Sequence, residues 1–175
     1  SNENPEVFEK GLILYIGTII RKKGVLELPQ IFKKVIQKYP EAQLLLIGAD
    51  SFDIQTQSKS TWELFQSKFD PTIKNQVSYA GKVPYDEIRK FMQKANVCVF
   101  PSFAETLGMV TIESMAMQKA VVNTDIGWAK ELIVDGESGF LVAPKNHELF
   151  ASRIATILHS SNLVYEFGKR AQERV

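Results

Sequence analysis

The sequence predicts an α/β fold in which a parallel β-sheet is covered by helices on both faces. Three observations lead there. Short runs rich in Val, Ile and Leu alternate with longer amphipathic segments along the whole chain. The runs are apolar at consecutive positions, as strands buried on both faces are. The segments between them are long enough to be the crossover helices that parallel strands need. Right-handed crossovers then favour a doubly wound, Rossmann-like sheet.

The elements follow in order. "LILYIG" (12–17) reads as the first strand. "GVLELPQIFKKVIQKYP" (24–40) reads as a helix, with Leu28, Ile31, Phe32, Val35 and Ile36 at helical spacing. Pro29 fits only its first turns, and Pro40 closes it. "AQLLLIGA" (42–49) is the second strand. "DSFDIQTQSKST" (50–61) is polar and long enough to be a flexible excursion. "TWELFQSKF" (61–69) is helical and "QVSYAG" (76–81) is the third strand. "PYDEIRKFMQKA" (84–95) opens on Pro84 and sets Ile88, Phe91 and Met92 on one face. "NVCVFPS" (96–102) is the fourth strand, "LGMVTIESMAMQKA" (107–120) a helix and "AVVNT" (120–124) the fifth strand. A short helix "AKELIVD" (129–135) precedes a turn and sixth strand, "GESGFLVAP" (136–144). "NHELFASRIATIL" (146–158) and "LVYEFGKRAQERV" (163–175) are closing helices.

Composition narrows the function classes. The 175 residues are 45% hydrophobic and 23% charged, which suits one domain with a substantial core. A net charge of +1 gives no footprint for nucleic acid or an anionic membrane. Two His and one Cys cannot build a Cys/His metal site. Cys98, inside "VCVF", reads as a buried inert thiol, and the lack of a disulfide framework fits a reducing compartment. No run approaches the roughly 18 apolar residues of a membrane span, and no signal peptide opens the chain. The expectation is a cytoplasmic protein. Ser1 and Asn2 read as a cloning remnant, and 3–175 as a single domain. The chain stops inside a charged helical segment, so a fragment of a longer protein is expected.

In such folds ligands bind beyond the carboxyl ends of the strands. The loop after the fourth strand holds Glu105, and Gly108 stands where the next helix begins. Met109, Ile112, Ala116 and Met117 form an expected core-facing stripe, with Glu113 on that same inward side. A carboxylate there is costly without partners. It either pairs with a backbone donor or lysine, or accepts hydrogen bonds from ligand hydroxyls such as a ribose diol. Glu105 either caps the helix or holds sugar hydroxyls. The N–H groups of Leu107, Gly108 and Met109 would open a helix, which favours phosphate.

The loop "GTIIRKKGV" places Arg21, Lys22 and Lys23 between Gly17 and Gly24. It is a solvated basic turn or a diphosphate clamp. It is not a P-loop, and no G-x-G-x-x-G is present. Gly81 and Val83 could offer backbone groups to a planar base, or form a plain turn. Gly127 leaves room near Trp128, which covers a pocket or simply packs. His147 and His159 read as surface or structural residues, and Lys145 as a rim charge.

With these residues in view, the chain resembles the C-terminal, nucleotide-sugar-binding half of GT-B-fold retaining glycosyltransferases, of the glycogen-synthase-like, family 4 type. The resemblance runs from "YIGTIIRKKG" through "LLLIGAD", "VSYAGKVPYDEI" and "VCVFPSFAETLGMVTIESMAMQKAVV" to "TDIGWAKELIVDGESGFLV". Its most specific mark is the E-x7-E spacing of Glu105 and Glu113. The resemblance implies that Glu113 binds the ribose of a nucleoside diphosphate sugar of UDP or GDP type. Glu105 would lie beside the transferred sugar. The backbone at Thr106, Leu107, Gly108, Met109 and Val110 would meet phosphates and sugar. Lys23 would hold the leaving diphosphate, with Gly17, Thr18 and Arg21 around it. Gly81, Lys82 and Val83 would contact the base.

Two positions depart from the family pattern. Thr18 stands where an arginine is usual, removing a bidentate phosphate donor that Arg21 or Lys22 would have to replace. Trp128 stands for the second of a glycine pair. The resemblance further implies sugar transfer with retention and without metal, since no Asp-x-Asp motif is present. No permanently bound cofactor is implied. A glycan or lipid-linked acceptor would be held by an N-terminal domain outside these residues, and this half alone would bind donor without turning it over. The competing reading is a non-catalytic nucleotide-binding module or degenerate glycosyltransferase. A receiver-like domain would need acidic residues after the first strand, where bases stand. A carboxylate-pair hydrolase is disfavoured by the fold.

Overall fold

The computed structural model describes residues 9–104 and 108–175. Six parallel strands form one sheet: β1 (Leu12–Ile16), β2 (Gln43–Ile47), β3 (Val77–Tyr79), β4 (Val97–Phe100), β5 (Ala120–Thr124) and β6 (Phe140–Val142). Their order across the sheet is β3-β2-β1-β4-β5-β6, and every pairing is parallel. The order reverses direction between β1 and β4, as in a doubly wound sheet. The expected fold class is therefore the observed one.

Helices cover both faces. They are α1 (Leu28–Lys38), α2 (Thr61–Ser67), α3 (Tyr85–Lys94), α4 (Met109–Ala116), α5 (Ala129–Leu132), α6 (His147–Leu158) and α7 (Ser161–Arg174). Alternate residues of each strand feed opposite faces. Ile13, Tyr15, Leu44 and Val99 pack with α1 and α6 on one side. Leu14, Ile16, Cys98 and Phe100 pack with α3 and α4 on the other. Both faces are thereby withdrawn from water, which explains the unbroken apolar runs.

Local chemistry sets the helix ends. Pro29 lies in the first turn of α1, where its missing N–H costs nothing. Ser60, Asn146 and Ser160 cap α2, α6 and α7 through their side chains. A short 3-10 stretch, Pro71–Gln76, is capped by Asp70 and precedes β3; the sequence pattern did not signal it. His147 bridges Gln30 and Glu27, each at 3.1 Å, and His159 sits 2.8 Å from the Lys38 carbonyl. Both are structural ties between α6 and α1.

Two expectations are corrected. The 50–61 segment is not a loose excursion. Asp50 receives N–H groups from Ser51 and Trp62, and Asp53 is buried at 2% exposure against Arg21. The inward face of α4 is also not the expected stripe. Met109 is 55% exposed and Ala116 is exposed, whereas Thr111, Ser114 and Met115 are buried. The helix turns small polar residues inward because their hydroxyls find partners there. Ser114 donates to the Val110 carbonyl at 2.9 Å, and Asn123 of β5 donates to Thr111 Oγ1 at 2.9 Å. Glu113 is consequently half-buried at the side of α4 rather than facing the core.

Two buried titratable groups meet under α4. Burial pushes the Cys98 thiol up to about 11 and the Lys119 amine down to about 8. Lys119 Nζ donates to the carbonyls of Gln93 at 2.8 Å and Ala95 at 3.2 Å, which a neutral amine can still do. Between pH 8 and 10.5 the unfolded chain holds the Lys119 proton longer than the folded one, so this residue makes stability rise with pH. Between pH 9 and 11 the folded chain holds the Cys98 proton longer, so this residue makes stability fall. Each acts with a slope of up to about 1.4 kcal/mol per pH unit, and they oppose. Urea midpoints should thus change little from pH 9 to 10 in the wild type and rise in Cys98→Ala. Equal slopes in the two proteins would refute the assignment.

Candidate functional site

The sheet order places a crevice where β1 and β4 diverge, at the carboxyl ends of the strands. After β1 the chain passes Gly17 and makes a 3-10 turn, Arg21–Lys23, that ends on Gly24 in the left-handed region at φ 75°. After β4 it passes Pro101 and Ser102. The two loops are tied together: Phe103 N–H donates to the Lys22 carbonyl at 2.9 Å, and Ser102 Oγ reaches the same carbonyl at 3.4 Å while also donating to the Ala104 carbonyl at 3.0 Å. Lys23 Nζ reaches the same Ala104 carbonyl at 3.3 Å.

Between these loops lies a cavity of about 230 Å³. Gly17, Lys23, Ser102, Gly108, Met109 and Val110 are on its wall, with Tyr15 at its base. Gly108 precedes α4 at φ 60°, a conformation glycine adopts without strain. Among the described residues no side chain caps α4, and its first turn holds no acidic residue. Its first N–H groups have no acceptor inside the helix, and the positive end of the helix faces Lys23 across the cavity. An ammonium and an open helix N-terminus suit a phosphate-bearing ligand.

The other expected site residues within the described range do not line this cavity. Glu113 lines a separate hollow of about 300 Å³ between α3 and α4, together with Tyr85, Arg89 and Met92. Gly81 lies in the left-handed region at φ 70° with nothing nearby, Lys82 is exposed and Val83 is half-buried. Thr18 is exposed, and its carbonyl accepts the Tyr15 hydroxyl at 2.9 Å. Trp128 is 47% exposed at the start of α5. Glu105, Thr106 and Leu107 lie outside the described residues.

Arg21 stands apart from the expected set. Its Nε and Nη2 make a two-pronged bond to Asp53, both contacts 2.9 Å. Thr56 adds its N–H and hydroxyl to the same carboxylate. The Arg21 guanidinium holds the Asp53 carboxyl well below the usual carboxylate range. Arg21 thus fastens the 50–60 loop, and Lys23 is the cation on the first cavity's wall. Arg21, Lys22 and Lys145 line another, larger cavity of about 660 Å³.

The sequence reading passed over Tyr15, Ser102 and Asp53. Tyr15 was hidden in a strand and Ser102 in a turn. Asp53 carried a signal in retrospect: a lone carboxylate between Phe52 and Ile54, with a basic turn upstream. Among the described residues, no group of three or more His, Cys, Asp or Glu is gathered so as to hold a metal ion. No helix there is long and apolar enough to cross a membrane.

Comparison with known proteins adds a second line of observation. The family model described as Glycosyl transferases group 1 matches residues 1–174. The capsular polysaccharide biosynthesis glycosyltransferase CapM of Staphylococcus aureus is 30% identical over 164 residues, covering 94% of this chain and 41% of that protein. Trehalose synthase of Thermococcus litoralis is 30% identical over 172 residues, covering 95% of this chain and 40% of that one. Among solved structures, sucrose-phosphate synthase from Thermosynechococcus elongatus superposes with a TM-score of 0.80 at 26% identity, over 98% of this chain and 45% of its own. The C-terminal domain of the group 1 glycosyl transferase LpcC from Francisella tularensis shares the fold, with a TM-score of 0.76 at 22% identity over 97% of this chain and 87% of its own. The chain spans about two fifths of the curated relatives it matches.

Proposed function

The chain belongs to the Glycosyl transferases group 1 family, and we propose that it is the donor-binding half of a retaining glycosyltransferase. The donor is a nucleoside diphosphate sugar of UDP or GDP type. The observation that carries this reading is the crevice between β1 and β4, where Lys23 and the start of α4 line one cavity.

In this reading the diphosphate lies in the 230 Å³ cavity. Lys23 and the N–H groups of Met109 and Val110 stabilise the charge that grows on the departing diphosphate. Glu113 accepts the ribose hydroxyls from its hollow beside α3, and the backbone of Gly81 and Val83 meets the base. Glu105 holds hydroxyls of the transferred sugar. The acceptor, a glycan as the likeness to the capsular polysaccharide enzyme CapM suggests or else a lipid-linked one, is held largely by residues of a longer protein. Positioning of acceptor against donor supplies much of the remaining rate. The non-catalytic alternative draws on Thr18, which lies on the wall of none of the cavities described; turnover by the full-length protein separates the two readings.

Calorimetric titration of the 175-residue chain with UDP, GDP and ADP tests the site directly. One nucleotide should bind saturably, and Glu113→Ala should weaken it at least tenfold, about 1.4 kcal/mol. Absence of binding by all three would remove the claim that this half is a donor site by itself. The transfer is proposed to be independent of metal. EDTA should leave turnover by the full-length enzyme intact, and loss of activity restored by Mg²⁺ would contradict this.

A further inference from the structure

The segment Phe52, Asp53, Ile54 sets its charge inward and its apolar side chains outward. Asp53 is 2% exposed, while Phe52 is 46% and Ile54 79% exposed. Asp53 and Ser58 bridge across a turn over residues 54–57 that carries Ile54. The buried carboxylate is tolerable because Arg21 and Thr56 satisfy it. The Arg21–Asp53 pair therefore fixes a turn that presents two apolar side chains to solvent.

These side chains form the wall of the 660 Å³ cavity, a volume within the range of ligand pockets. Phe103 adds a third apolar face, and Lys22 and Lys145 stand on the rim. The carboxylates of this cavity are engaged, Asp53 by Arg21 and Glu27 by His147 at 3.1 Å. Lys22 and Lys145 pair with no carboxylate among the described residues. Arg21, Lys22 and Lys145 against Asp53 and Glu27 leave the cavity with apolar surface and a net positive charge together. It also adjoins the donor cavity: Lys22 lines one and Lys23 the other, as do Phe103 and Ser102.

We propose that this cavity is an acceptor subsite for an amphiphile with a phosphate head and an apolar chain. The head lies on Lys22 and Lys145, and the chain lies on Phe52, Ile54 and Phe103. As an acceptor assignment this rests on the donor reading above; as a binding site it does not.

The test is titration of the 175-residue chain with decyl phosphate below its micelle concentration, beside inorganic phosphate, octyl glucoside and UDP. Decyl phosphate should bind saturably, and the phosphate and the neutral amphiphile at least tenfold more weakly. Ile54→Asp and Lys145→Ala, both at exposed positions, should each weaken decyl phosphate at least fivefold and leave UDP binding within twofold. Decyl phosphate binding without UDP binding would defeat the donor reading and leave this site standing. Failure of decyl phosphate to saturate overturns the proposal. So does equal binding by inorganic phosphate, or indifference to both substitutions. Self-association of the chain that Ile54→Asp abolishes would instead make the patch a contact between copies, and would also overturn it.

Discussion

Gly24→Ala should lower the melting temperature by about 10 °C or leave the chain unfolded at 37 °C. A Cβ at this position would lie 1.7 Å from the Pro101 carbonyl oxygen, a backbone atom that no rotamer change can move. The left-handed φ of 75° adds about 1–2 kcal/mol for any L side chain. Together with overpacking of about 1–3 kcal/mol, the cost is about 2–5 kcal/mol, and each kcal/mol moves the midpoint of a domain of this size by roughly 2–4 °C. Gly136 provides the internal comparison. Its φ is 79°, yet nothing lies within 4 Å of a Cβ built there. Gly136→Ala should therefore show the conformational cost alone, about 1–2 kcal/mol. Thermal melts of the two variants separate the close approach from the backbone conformation. Equal losses would mean that the β1 and β4 loops are not pressed together at Gly24 and Pro101.

Lys23→Ala should reduce kcat of the full-length enzyme by 10²–10³, about 2.7–4 kcal/mol, the magnitude expected for removing a preorganised donor to a developing anion. The loss should be larger in kcat/KM than in kcat, because Lys23 meets charge already present on the bound diphosphate as well as the charge that grows in the transition state. The ammonium is suited to this role by its place on the cavity wall opposite α4 and by its tie to the Ala104 carbonyl. Lys23→Arg keeps the charge but not the compact geometry, and should recover only part of the rate. Steady-state kinetics decide the matter. A kcat within threefold of wild type in Lys23→Ala would remove Lys23 from the reaction and transfer attention to the helix N-terminus.

The fold was largely legible because each strand announces itself within a few residues. "AVVNT" is β5 to the residue, since Lys119 before it and Asp125 after it end the apolar run. The crevice was legible for the same reason: once β1 and β4 are placed, Gly17, Lys23 and Gly108 must lie at their carboxyl ends. What stayed hidden depends on partners far along the chain. The inward face of α4 is selected by Asn123 reaching Thr111. The order of the 50–60 loop is fixed by Arg21, 32 residues upstream. Helical periodicity read α4 as apolar-inward because Met109 and Met117 outweigh Thr111 and Ser114 on any hydrophobic scale. Hydrogen bonding across the sheet decided otherwise.

The position of β1 in the sheet has a consequence for how the chain is made. β1 occupies the interior, with β2 on one side and β4 on the other. Its first partner follows within one crossover, but the second pairs Ile13 with Val97 and Leu14 with Cys98. During synthesis the half-sheet β3-β2-β1 can assemble while the other edge of β1 is open. That edge carries unsatisfied backbone groups, flanked by apolar side chains on both faces, which is the hazard that finished sheets conceal. Non-local pairing of this kind also slows folding. The exposure of β1 therefore lasts for the translation of about 80 residues, and it is during that interval, rather than in the finished domain, that this chain is most in need of protection from its neighbours.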